Sequence, residues 1–240
     1  MQGSLARGAS YLSRGARLLR HPTLRPFVLI PLALNILIFA SLLGVGFNVI
    51  DNLMEKMLSR IPQWLDFIEW ILWPLIVITA GLITGYLFTA VALLIASPFN
   101  SLLAEKAEEL ITGKPVQSLE GLWPALMAIP RSVVRELLKL VYYVPMALLA
   151  LVLSLIPGVG AVAWLLLGAW MMSIQFIDYP MDNHQKSFAE VKDAVRSQRL
   201  SSLGFGGLVA LCTVIPVVNF FVVPAAVVGA TLLWCEELDQ

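Results

Sequence analysis

Long apolar stretches separated by short polar segments run along most of this chain. Two of them, residues 27–50 and 70–96, are long enough as helices to cross a hydrocarbon core about 30 Å thick. Residues 51–69 between them carry more acidic than basic side chains, whereas the first 25 residues carry arginines and no acid. By the positive-inside rule, the pattern predicts two long transmembrane helices, a periplasmic loop and cytoplasmic termini.

Two further apolar stretches, residues 141–176 and 204–234, are interrupted near their middles by Pro157 and Pro216. Proline cannot continue a helix without losing a hydrogen bond, and we expect a further interruption at Pro224. The arms hold about 16 residues or fewer, which corresponds to roughly 24 Å of helix. They therefore predict two partially inserted, re-entrant helical hairpins, which the bilayer tolerates only inside protein or beside a cavity.

The start of the chain, residues 1–25, predicts an interfacial amphipathic helix. Apolar positions recur every three or four residues from Leu5 through Leu12 and Ala16 to Leu19, and the arginines lie largely on the other side. Such a helix lies on the headgroups of membrane lipids.

The remaining polar segments predict further amphipathic cytoplasmic helices. In residues 98–140, the first helix lies on the membrane surface or continues the second transmembrane helix, and the next begins near Leu122. Residues 178–203 connect the two hairpins through a polar turn and a helix that opens with a capping box at Ser187 and Glu190.

Composition agrees with a single membrane domain over residues 1–240. Hydrophobic residues make up 59% of the chain and charged residues 13%, about half the usual share in a soluble domain, and the mean hydropathy is +0.83. With only two histidines and two cysteines, no metal-ligand spacing and no glycine-rich phosphate loop, the sequence gives little support to an enzyme. We predict no cofactor, no metal and no nucleic-acid partner.

The polar residues before the first transmembrane helix are the strongest candidates for a binding site. Free N–H groups at a helix start carry partial positive charge, so those near Leu24, Arg25 and Phe27 could hold an oxyanion together with the Arg25 guanidinium. Thr23 could add a hydroxyl donor. The alternative is an anchor arginine beside a helix that begins at proline.

Other polar residues at or near membrane depth could line a path or gate it. A basic stripe, Arg131, Arg135 and Lys139, faces lipid phosphates or draws anions to a pore. The acids near residue 108 form a solvated face, or serve as gates or as partners of the stripe, and the asparagines either join helices or line the path. The candidate pore or gate residues are Asn35, Asn100, Glu105, Glu108, Arg131, Arg135 and Asn219.

Three motifs give the sequence a resemblance to a known family: residues 24–36 (LR, then IPLxxNI), residues 96–106 (ASPFNSLLAEK) and residues 178–184 (DYPMDNH). Together they make the chain similar, over essentially its whole length, to the CysZ family of bacterial inner-membrane sulfate permeases. The resemblance implies channel-like, ATP-independent uptake of sulfate for cysteine biosynthesis. It also implies two long transmembrane helices, two partially inserted hairpins and a homo-oligomer.

The family's sulfate site is associated with a Gly-Leu-Arg-Arg type motif before the first long helix. In this sequence the motif falls on Leu24 and Arg25, with Thr23 in place of the glycine and Pro26 in place of the second arginine. The resemblance thus makes Thr23, Leu24 and Arg25 the candidate sulfate-binding residues. From the residues alone, a non-transporting membrane scaffold and an ion-gradient-coupled oxyanion transporter stay open.

Overall fold

The computed structural model describes residues 3–58, 69–116 and 129–239, and all regular structure in these ranges is helical. This confirms the predicted all-α fold. The predicted helix start near Leu122 and most of the predicted loop at 51–69 lie outside the described residues. The helices are α1 (Leu5–Leu18), α2 (Arg25–Leu58), α3 (Glu69–Thr112), α4 (Ile129–Leu153), α5 (Val159–Asn183), α6 (Phe188–Ser197), α7 (Arg199–Thr213) and α8 (Pro216–Leu233), followed by a π-helical turn at Trp234–Leu238.

The chain forms two compact units, residues 29–96 and residues 1–28 with 97–240. The first unit consists of the apolar parts of α2 and α3, where the rings of Phe39 and Phe88 meet edge-on with centroids 5.0 Å apart. Large apolar side chains such as Leu37 and Leu82 are exposed along it. Exposed apolar surface of this extent suits lipid rather than water.

Within the described ranges, five helical stretches have the length and apolar character needed to cross a membrane. They are Arg25–Leu53, Trp70–Phe88, Val133–Leu153, Val159–Asn183 and Val218–Leu238. The arms of the first hairpin are therefore 21 and 25 residues long, longer than the 16 expected from the sequence. Partial insertion of the hairpins stays a prediction, because it no longer follows from the arm lengths of the first one.

Both predicted breaks are confirmed. Helix α4 ends at Leu153 and α5 begins at Val159, after Gly158 with a φ of +82° that only glycine adopts readily. Helix α8 begins with Pro216 in its first turn, where the missing N–H costs nothing.

The predicted interruption at Pro224 is wrong, because α8 continues through it. The residues that follow Pro224 are almost all buried in the core of the larger unit. Packing on this scale outweighs the loss of the single backbone hydrogen bond that proline removes. Membrane helices commonly tolerate such a loss. The predicted polar turn after residue 178 is also wrong, since α5 stays helical to Asn183.

Helix α1 packs against α7 and α8, whereas the sequence predicted only an apolar side that lies on the membrane. The buried residues are Gly8, Tyr11, Leu12 and Gly15, while Leu5 is 53% exposed. The two glycines set this face, because they let backbones approach: a Cβ at Gly15 would lie 2.6 Å from the backbone nitrogen of Gly229. Whether α1 also lies on lipid headgroups stays a prediction.

Side chains of α1 join the two ends of the chain. The Arg7 Nε atom lies 2.7 Å from Glu237 Oε1, and Arg14 Nη1 donates to Glu236 Oε2 at 2.9 Å. The fully buried Tyr11 places its hydroxyl 2.9 Å from Glu237 Oε1. We call these five residues the terminal ion-pair cluster.

The capping box that opens α6 is confirmed. The Ser187 hydroxyl accepts from the Glu190 N–H, and the Glu190 carboxylate accepts from the Ser187 N–H at 2.7 Å. The Ser187 N–H and hydroxyl both donate to the Glu190 carboxylate, and these hydrogen bonds lower the pKa of Glu190.

Replacing Ser187 with alanine should cost about 1 kcal/mol of stability, the usual value of a serine N-cap. Because the pKa of Glu190 is lowered in the folded state, its stabilisation is present above the unfolded-state pKa and is lost as the pH falls through the folded-state pKa. Thermal unfolding of the purified chain at neutral and acidic pH measures both effects. Ser197→Ala, at the far end of the same helix, is the matched control and should leave the unfolding temperature nearly unchanged.

Candidate functional site

The predicted sulfate-binding residues lie where the chain enters α2. Leu24 is fully buried in the core of the larger unit, and its neighbours Thr23 and Arg25 are exposed. The buried leucine thus fixes the backbone and directs both polar side chains outward. Helix α2 begins at Arg25, so the N–H groups of Arg25 and Phe27 belong to its first turn, which has no intrahelical acceptors.

Hydrogen bonds around this helix start remove some of the expected donors and orient others. The Leu24 N–H donates to the His21 carbonyl oxygen at 3.1 Å, so it is not free for an anion, contrary to expectation. The Arg25 guanidinium donates from Nε and Nη2 to the Arg20 carbonyl oxygen at 3.1 and 2.9 Å. These two bonds hold the guanidinium beside the helix start while the side chain stays exposed.

The arginines of the N-terminal segment divide into two groups. Arg7 and Arg14 pair with the acids at the end of the chain. In the part of the chain that the structure describes, no ion pair to a carboxylate involves Arg17, Arg20 or Arg25. The region before α2 therefore carries positive charge that the described residues leave uncompensated, and it attracts anions.

The basic stripe is not a lipid-facing or anion-drawing surface at Arg135 and Lys139. Both side chains are buried, and both pair with Asp178 of α5, the lysine at 2.8 Å. Arg135 also lies 2.9 Å from Asp182, and Lys139 lies 2.8 Å from Glu136. The prediction fails because the opposing acids come from the other arm of the hairpin; the side chain of Arg131 lies outside what the structure describes.

Two of the three motif stretches contact each other. Ser101 and Asn183 exchange hydrogen bonds, with Ser101 Oγ donating at 2.5 Å and Asn183 Nδ2 donating back to the Ser101 carbonyl oxygen at 3.0 Å. Asn100 Nδ2 donates to the Tyr179 hydroxyl at 3.3 Å. The end of α3 is thereby fixed to the end of α5, and Asn100 joins two helices here.

The acids of α3 do not form the predicted solvated face. Glu105 and Glu108 are buried, with Glu105 3.1 Å from Lys106 and Glu108 2.7 Å from His184. At Glu108 the helix faces the core because His184, at the end of α5, covers it. Their role as gates stays a prediction.

The two asparagines in the apolar stretches differ in surroundings. Asn35 of α2 has a buried side-chain oxygen without a hydrogen-bond partner among the described residues. Asn219, in the first turn of α8, is exposed, and its N–H donates to the Ile215 carbonyl oxygen at 2.9 Å. Whether either lines a path stays a prediction.

Sequence reasoning missed the acids that hold the first hairpin closed. Asp178 and Asp182 are spaced as i and i+4, as are Arg135 and Lys139, and both pairs lie about equally far from the break at Pro157. Folding the chain at that proline brings the two pairs opposite each other. This symmetry about the break was the available signal.

The long apolar helices and the uncompensated cationic helix start together define a multi-pass helical membrane protein with an anion-attracting surface. Residues 11–224 match the family described as "Sulfate transporter CysZ/Etoposide-induced protein 2.4", and the chain belongs to this family.

Its relatives are similar over nearly their whole length. The chain is 44% identical over 237 residues to proteins named "Sulfate transporter CysZ" from Pseudomonas aeruginosa and Pseudomonas paraeruginosa, covering 96% of this chain and 95% of each relative. It is 43% identical over 244 residues to the protein of that name from Pseudomonas fluorescens, covering 99% of this chain and 96% of the relative.

Proposed function

We propose that this protein transports sulfate across the bacterial inner membrane. The observation that carries the proposal is the cationic start of α2, where Arg17, Arg20 and Arg25 have no carboxylate partner among the described residues. The names of the relatives supply the substrate class.

In the proposed site the anion meets three kinds of donor. The Arg25 guanidinium supplies charge, the N–H groups of Arg25 and Phe27 supply the positive end of the α2 dipole, and the Thr23 hydroxyl supplies a neutral donor. Leu24 is buried in the core and holds the backbone that carries these groups in a fixed position. Pro26 contributes no N–H, so the site holds sulfate weakly, which suits a group that must release it.

We further propose a channel-like route without ATP coupling, in a homo-oligomer whose termini face the cytoplasm. Inward movement of a dianion against a negative membrane potential costs about 2.3 kcal/mol per charge per 100 mV. A passive route therefore depends on a concentration gradient, which rapid use of sulfate inside the cell, as in cysteine biosynthesis, would maintain.

Uptake of labelled sulfate into liposomes that contain the purified chain tests transport directly. The membrane potential is clamped at zero, and sulfate is the only solute with a gradient. Saturable uptake above that of empty liposomes is the expected result. Uptake that requires an added proton or sodium gradient would establish a coupled transporter, and no uptake by folded, inserted protein would favour a scaffold.

Arg25→Ala should weaken sulfate binding by roughly tenfold, since a hydrogen bond to a charged group contributes about 1.5–3 kcal/mol before discounting for exposure. Titration of the detergent-solubilised protein with sulfate measures the change.

Arg196→Ala is the matched control, because Arg196 is also an exposed helix arginine but lies on α6. Equal binding by the wild type and Arg25→Ala would remove this site. Equal weakening by both variants would show that the loss of positive charge on the protein, and not the loss of this site, weakens sulfate binding.

A further inference from the structure

A cavity of about 560 Å³ lies where the end of α3 meets the end of α5, and none of its lining residues belongs to the start of α2. All of its lining residues belong to the larger unit. They are Glu108, Thr112, Lys114, Pro115, Val116, Asn183, His184, Gln185 and Asp239. The lining is thus mostly polar, with one apolar wall.

Glu108 supplies a buried acceptor to this cavity. Its side chain is 8% exposed, and its Oε1 atom lies 2.7 Å from His184 Nε2. Its Oε2 atom is buried and has no hydrogen-bond partner among the described residues. Because an unsatisfied buried carboxylate oxygen is costly, this atom favours a ligand that donates a hydrogen bond or carries positive charge.

The electrostatics around Glu108 favour a cationic group at this point. Burial raises the pKa of Glu108, the contact with His184 opposes this, and the nearby charge of Asp239 adds to it. Two carboxylates that repel each other are stabilised by a cation between or beside them. The described residues contain no group of histidines, cysteines and acids arranged to hold a metal ion, so an organic ammonium fits better.

Lys114 adds the opposite charge to the same cavity. It follows Gly113, whose φ of +69° ends α3, and its N–H donates to the Thr112 hydroxyl at 3.3 Å. No ion pair of the Lys114 ammonium is found within the described ranges. A ligand with only a positive charge would be repelled by this lysine, and a ligand with only a negative charge would be repelled by Glu108 and Asp239.

We propose that this cavity binds a small zwitterion of the free amino acid class. The ammonium group of the ligand is held by the Glu108 carboxylate and the charge of Asp239, and its carboxylate is held by Lys114. The ligand side chain faces the apolar wall of Pro115 and Val116. The site is separate from the proposed sulfate site and does not depend on it.

Calorimetric titration of the full chain in detergent tests this proposal. The probes are glycine, β-alanine and 4-aminobutyrate, which set the charged groups at increasing separations, with methylamine and acetate as probes that carry only one of the two charges. We expect one zwitterion to bind at one site per chain, more tightly than either single-charge probe, and equally well with or without saturating sulfate.

Two variants localise the binding, and a third is the control. Glu108→Gln should weaken it at least tenfold, and Lys114→Ala should weaken it severalfold, whereas the exposed Asp193→Asn should leave it unchanged. Lys114 is exposed, so its variant keeps the test valid even where Glu108→Gln does not fold.

Three outcomes overturn the proposal. The first is no binding of any zwitterion to the folded chain. The second is binding of methylamine as tight as that of the zwitterions. The third is zwitterion binding that Lys114→Ala leaves intact.

Discussion

Replacing Asp178 with asparagine is expected to lower the free energy of unfolding by about 3–5 kcal/mol, the usual cost of removing one partner from a buried ion pair. Asp178 neutralises both Arg135 and Lys139, and the lysine side chain is only 3% exposed. Without the carboxylate, two cations stay inside the interface between α4 and α5 with less opposing charge. Thermal unfolding of the detergent-solubilised chain measures the loss.

A double-variant cycle separates this pairing from a general effect of the substitution. Asp178→Asn combined with Arg135→Gln should cost less than the sum of the two single variants, because the second change removes a cation that the first left unpaired. Asp193→Asn, at an acid with a 75% exposed side chain, should change stability by no more than about 0.5 kcal/mol. Similar small losses for both aspartates would show that Asp178 does not hold the hairpin.

Gly206→Ala is the second large expected loss, at about 2–3 kcal/mol or more. A Cβ on Gly206 of α7 would overlap the Ala169 carbonyl oxygen and lie 2.7 Å from the Ser173 backbone nitrogen, both in α5. Because these are backbone atoms, the two helices must separate to admit the methyl group. The unfolding temperature and the yield of folded protein should both fall.

The neighbouring glycine offers a close control. A Cβ on Gly207 would meet only the Ala169 Cβ, at an ordinary contact distance of 3.6 Å. Gly207→Ala should therefore be neutral or stabilise α7 by up to about 1 kcal/mol, since alanine favours helix over glycine. Equal destabilisation by both variants would argue against close contact at Gly206 as the cause.

The parts of the fold that follow from local chemistry were predictable. Proline at Pro157 and Pro216 ends a helix or starts the next one, and serine three residues before glutamate caps α6. These effects depend on a few neighbouring residues, so the sequence alone contains them. The same local rule predicted an interruption at Pro224, which is wrong because burial of the following turns keeps the helix intact.

The parts that depend on distant residues were not predictable in the same way. Hydrophobic periodicity predicted that the apolar side of α1, including Leu5, lies on the membrane, but it did not predict that the glycine face packs against other helices. The spacing of Arg131, Arg135 and Lys139 predicted an exposed basic stripe, whereas Arg135 and Lys139 pair with Asp178 on the other arm of the hairpin. For the candidate site, the motif identified Arg25, whereas the hydrogen bond that occupies the Leu24 N–H depends on the turn before the helix.

The terminal ion-pair cluster has a consequence for the number of times that the chain crosses the membrane. Because Arg7 and Arg14 contact Glu237 and Glu236, we expect the chain to leave and return to the same side of the bilayer between these points. The expected number of complete crossings between them is then even. Five long apolar helices in the described ranges are an odd number, so we predict that one of them turns back within the membrane or that a further segment, such as the shorter α7, completes a crossing.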